Sequence, residues 1–114
     1  MRINQFMNEN LRGVNDVITS LPNNRFDSHE FIKAFAKKFE IQYVSFLQLY
    51  KVKPHRIVHS LIARDLTKNM VLLKISNEGK VMSETIFGLM NPNQMWNKKV
   101  KGKLCSKPSV DESL

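Results

Sequence analysis

A chain of 114 residues has the length of one domain and can bury one core but not two. Its 42% hydrophobic and 25% charged residues are ordinary for a soluble globular protein. No run approaches the eighteen or so consecutive apolar residues of a membrane helix, and Met1 to Asn10 is too polar for a signal peptide, so a cytoplasmic protein with no membrane partner is expected. The net charge of +8 is uneven: residues 51–80 carry seven Lys and Arg against Asp65 and Glu78, a net +5, while residues 1–50 carry +1 and residues 81–114 carry +2. A polyanion would explain that placement, since Lys and Arg that neutralise phosphates release condensed counterions. The single Cys105 can form no internal disulfide, as suits a reducing compartment.

Met7, Leu11, Val14, Ile18 and Leu21 recur at four-three-four-three spacing, which predicts a helix from about Gln5 to Ser20, stopped by Pro22. The stripe is expected to pack in the core, with the alternative that residues 5–21 pair two subunits as a homodimer. Gly13 either weakens this helix or admits a close neighbour. Asp27 followed by Glu30 reads as a capping box that starts a helix near Ser28. From there Phe31, Ile32, Phe35, Phe39, Tyr43, Phe46, Leu47, Leu49 and Tyr50 share one face as far as Lys51, as one long helix or as two with a bend near Glu40. The aromatic residues at this spacing are read as core rather than as a stacking platform for bases.

Lys51-Val52-Lys53 is the turn before Pro54, which suits a first helical position because its missing N–H has no partner there anyway. On the helix that follows, Ile57, Val58, Leu61, Ile62 and Leu66 fall toward the core. Arg56, Ser60, Ala63 and Thr67 fall outward, with His59 and Arg64 on the shoulders. This face is cationic, small and hydrogen-bonding, the combination that enters a DNA groove: Arg holds phosphate or the acceptor edge of guanine, and an Ala methyl touches a thymine methyl. Asp65 projects to the apolar side, where a lone carboxylate is costly. His55 and His59 have the spacing of two zinc ligands but lack the intervening glutamate of a metalloprotease helix, and His29 and Cys105 complete no ligand set, so no metal and no cofactor are expected. With no Gly-rich phosphate loop, catalytic Ser-His-acid set or paired carboxylates, no enzyme is expected.

After Asn69, apolar and β-branched residues flank Asn77-Glu78-Gly79-Lys80, which predicts a hairpin. Val71, Leu73 and Ile75 would pair with Val81, Ser83, Thr85 and Phe87, with Lys74 and Lys80 exposed near the tip. Asn91-Pro92 is expected to open a short helical turn that folds Met95 and Trp96 back onto the core; an exposed Trp96 would instead anchor a protein partner.

Helices, then a basic helix, then a hairpin is the element order of winged-helix domains, and over roughly Ser28 to Phe87 the chain resembles that fold. The resemblance implies a mostly α domain with a C-terminal β-hairpin, a winged helix-turn-helix over residues 1–96. From Asn97 the chain is Lys-rich, with Gly102, Pro108 and several Ser and little to bury, so residues 97–114 are expected to be a basic, disordered tail. The resemblance also implies double-stranded DNA binding, as a transcription regulator or as the DNA-binding part of a larger system. The expected contacts are Lys53, Arg56, His59, Ser60, Ala63, Arg64, Thr67 and Lys68 on and around the helix, with Lys74 and Lys80 on the wing. A protein-interaction module on the same scaffold, or RNA binding through the basic helix and tail, are the alternatives.

Overall fold

Six helices and a three-stranded sheet build residues 2–98, the part of the chain that the structure, a computed structural model, describes. In chain order they are α1 (Ile3–Glu9), α2 (Leu11–Ser20), β1 (Arg25–Asp27), α3 (Ser28–Lys38), α4 (Glu40–Gln48), α5 (Pro54–Lys68), α6 (Met70–Leu73), β2 (Ile75–Glu84) and β3 (Met90–Lys98). The sheet is antiparallel throughout in the order β1-β3-β2, so the last strand lies in the middle. The fold is therefore mixed rather than mostly α with an isolated hairpin.

The helix expected over residues 5–20 is broken at Asn10, which leaves the helical region (φ −123°, ψ 36°) and caps α1 with both its backbone N–H and its side-chain amide, donated to the Phe6 carbonyl at 3.0 and 2.9 Å. Met7, Val14 and Ile18 are buried in this chain's own core, so the stripe faces inward rather than toward a second copy. The capping box forms: Asp27 Oδ1 accepts the Glu30 N–H at 2.9 Å, and Glu30 Oε1 accepts the Asp27 N–H at 3.1 Å. Of the two arrangements open for residues 28–51, the chain adopts the bent one. Phe39 leaves the helical region (φ −113°, ψ 50°) and separates α3 from α4. Leu49, expected on the buried stripe, is half exposed because α4 ends before it.

The hairpin is displaced from its expected place. Residues 70–73 stay helical as α6, Lys74 turns the chain in the left-handed region (φ 58°), and β2 runs straight through Asn77–Lys80. That Gly-containing stretch is a bulge, with Asn77 opposite Trp96 and Lys80 opposite Gln94, and Gly79 (φ 97°) supplies the positive φ. The chain reverses at Thr85–Leu89, where Gly88 (φ 77°) has the same role. Asn91-Pro92 is strand, not a helical turn. Pro92 is tolerated because β1 reaches only Met95–Asn97, which leaves the Pro92 stretch of β3 unpaired on one side. Asn97 and Lys98, expected in the tail, continue β3, and Lys98 donates its N–H to the Asn24 carbonyl at 2.8 Å. The rest of the expected tail, residues 99–114, lies outside the described residues. Trp96 is fully buried as the core requires, and its Nε1–H donates to Ser28 Oγ at 3.0 Å.

Gly13 is a close-approach glycine, since a Cβ there would lie 2.8 Å from Phe39 Cζ. The Phe39 ring has little room to yield, held between Phe6 and Phe35 at centroid distances of 5.1 and 5.2 Å. Gly13→Ala is expected to lower stability by about 1 kcal/mol in urea unfolding, overpacking outweighing the better helix propensity of Ala. In a Phe39→Leu background the same change should become stabilising.

Candidate nucleic-acid interface

Helix α5 follows α4 through a turn over residues 49–53 whose last residue, Lys53, sits in the left-handed region (φ 49°, ψ 54°). A non-glycine residue there is strained. It reverses the chain so that Pro54 can open α5, and its carbonyl accepts the first helical bond from the Ile57 N–H at 3.2 Å. The helix packs on α1, α3, α4 and α6 through Val58, Ile62 and Leu66, all fully buried.

The side facing water is the expected one. Arg56, Ser60, Arg64 and Thr67 are exposed, Ala63 is half-buried among them, and Lys53 and Lys68 lie exposed at the two ends. Among the described residues the one ion pair joins Arg25 Nε to Glu78 Oε1 at 2.7 Å, so neither Arg56 nor Arg64 is neutralised by a carboxylate of the described chain. Beside Arg56 an open hollow of about 420 Å³ is lined by Val52, Lys53, Arg56, Ile57, Ser60 and Leu61, an apolar floor under a cationic rim. Ile57 and Leu61 therefore stay only partly buried, although their spacing assigned them to the core.

Three of the expected contacts are placed differently. His59 turns away from the cationic face to Tyr43 of α4; the rings stack at 5.8 Å, and Tyr43 Oη lies 2.6 Å from His59 Nε2. Burial, with the nearby His55 and His29 adding to it, lowers the His59 pKa to about 4, while burial raises that of Tyr43. At neutral pH the imidazole is therefore neutral and hydrogen-bonded to the tyrosine hydroxyl, and His59 brings no charge to a phosphate. Lys74 and Lys80 are exposed, but they lie at the foot of the hairpin and in its bulge. The tip carries Phe87, Leu89 and Met90 instead, with the Phe87 ring meeting His55 edge-on at 4.8 Å. No signal in the sequence joined Tyr43 to His59, sixteen residues apart on different helices.

Asp65 is buried as its wheel position required, and its Oδ2 has no hydrogen-bond partner among the described residues. Burial raises its pKa, and Arg64 and Lys68 pull it back. Among the described residues no group of three or more His, Cys, Asp or Glu is placed to hold a metal ion, and no helix is long and apolar enough to cross a membrane.

Both buried groups make stability depend on pH, with opposite signs. The unfolded His59 takes up a proton near pH 6.5 and the folded one only near 4. Its contribution is complete above pH 6.5 and drains away as the pH falls through that window. Between pH 7.5 and 4.5 the wild-type melting temperature should fall further than that of His59→Gln, which keeps an acceptor for Tyr43. The folded Asp65 takes up its proton before the unfolded one, so its buried charge costs stability at neutral pH and less in acid. Asp65→Asn is expected to gain about 1 kcal/mol at pH 7 in denaturant titrations, with the gain shrinking toward pH 4.

Comparisons of the chain with protein-family models, with curated proteins and with solved structures give no match, so the functional argument rests on this geometry alone.

Proposed function

We propose that the chain binds double-stranded DNA with α5 in the major groove, in the manner of a winged-helix domain. The observation that carries this reading is the water-facing side of α5, where Arg56 and Arg64 stand without carboxylate partners among the described residues, around the small residues Ser60 and Ala63. A helix can approach base edges only where its own side chains are short, and guanidinium groups give fork-shaped donors to phosphate or guanine. The short turn between α4 and α5, the strand order β1-β3-β2 and the hairpin after the basic helix support the winged-helix reading. The DNA contacts proposed are Lys53, Arg56, Ser60, Ala63, Arg64, Thr67 and Lys68. Lys74 and Lys80 add only long-range attraction, and His59 is a packing residue.

A second reading has its own support. Ile41, Val44 and Val52 are exposed, Ile41 at 82%, along α4 and the turn that follows it. Such a surface suits a protein partner, and on this scaffold it replaces Trp96, which is buried.

Fluorescence anisotropy with a random-sequence duplex tests the first reading. The wild type and a chain ending at Lys98 should both bind, with each phosphate contact adding about 0.9 to the log–log salt slope. Arg56→Glu with Arg64→Glu should abolish binding, whereas His59→Gln should leave it unchanged. Binding that survives the double substitution but is lost with residues 99–114 would refute α5 as the reader. Preference for duplex RNA in competition would do the same for DNA.

A further inference from the structure

The hairpin tip is built in a way that phosphate attraction does not explain. Phe87, Leu89 and Met90 are 57%, 62% and 56% exposed in and beside a turn that is held by its own hydrogen bonds. Thr85 Oγ1 accepts the N–H groups of Phe87 and Leu89 at 3.2 and 3.3 Å, the Thr85 N–H donates to the Leu89 carbonyl at 2.8 Å, and Gly88 takes the positive φ. The backbone is braced while the apolar side chains stand in water. The tip is also fixed in place: Phe87 meets the ring of His55, one residue before Arg56 in the first turn of α5. An apolar projection thus stands beside the N-terminal end of the cationic helix face.

We propose that Phe87 and Leu89 form a wedge that enters the minor groove beside the site of α5 and opens a base step, kinking the duplex. This inference rests on the DNA-binding reading above. Apolar side chains inserted between base pairs exchange part of the stacking for contact with the wedge, and the bend brings more of the duplex against the protein. Charge complementarity selects this occupant. The cations of residues 51–80 draw in a polyanion, and the tip stands against the first turn of the helix that carries Arg56 and Arg64, so it meets the same partner. Glu84, opposite Met90 at the end of the paired ribbon, repels phosphates, so only the turn beyond it enters the groove.

The test uses the full chain and a duplex of about three helical turns carrying donor and acceptor dyes at its ends. Wild-type binding, followed by anisotropy on the same samples, should raise energy transfer as expected for a kink of about 20–90°. Leu89→Ser leaves the His55–Phe87 contact in place, and Phe87→Ser with Leu89→Ser removes the whole wedge. Both should still bind with an unchanged salt slope, Leu89→Ser with an unchanged melting temperature and the double variant with one lowered only by the lost His55 contact, and the double variant should lose the rise in energy transfer. Wild-type binding without a rise, or the same rise from the double variant, would overturn the wedge and leave the α5 reading intact. Failure of the wild type to bind any duplex at low salt would instead remove the DNA reading itself, the wedge with it, and point to a protein as the occupant of the tip.

Discussion

Phe6 touches three other aromatic rings edge-on: Phe35 of α3 at 6.1 Å, Phe39 between α3 and α4 at 5.1 Å, and Phe46 of α4 at 5.6 Å. The positive edge of one ring meets the negative face of another, so these contacts are directional as well as apolar. They fix the angle between α3 and α4 and hold the N-terminal helix against both. Helix α5 is laid over the same assembly, and its outward face is cationic because its inward face is used up there. The Asn10 break lets Phe6 reach this cluster while Val14, Val17 and Ile18 of α2 continue along another part of the core.

Much of this was legible in the sequence where one local rule decided the outcome. The capping box at Asp27 and Glu30, Pro54 at the first position of α5 and the burial of Phe31, Phe35 and Phe46 each follow from spacing and side-chain chemistry within a few residues. The hairpin failed for a physical reason. Asn77-Glu78-Gly79 and Phe87-Gly88-Leu89 both offer a glycine at positive φ, and local chemistry cannot distinguish a bulge from a reversal. Tertiary contacts decide it: Arg25 of β1 and Asn97 of β3 both bond the Glu78 carboxylate, which holds the bulge within the sheet.

The candidate site divides in the same way. Arg56, Ser60, Arg64 and Thr67 were visible because a helix wheel needs only the residues of one helix. His59 was misassigned because its fate depends on Tyr43, and a wheel does not show which neighbour covers a shoulder position. The lysines of the hairpin shifted from its tip to its foot and bulge with the displaced reversal, and that shift leaves the tip apolar rather than cationic. Asp65 was placed correctly and its cost was visible, yet among the described residues its Oδ2 finds no partner.

The central strand of the sheet is also the last one to be made. β1 closes at residues 25–27 and waits for Met95–Asn97, about seventy residues later, before it has any partner. The sheet therefore has high contact order although the helices are local, and its closure pays the loop entropy of the roughly seventy residues between β1 and β3 at once. While the ribosome still holds residues beyond Gly88, two strands have unpaired edges and Ser28 has no indole to receive. The helical half can collapse early, but the chain commits to its full topology only when Trp96 arrives.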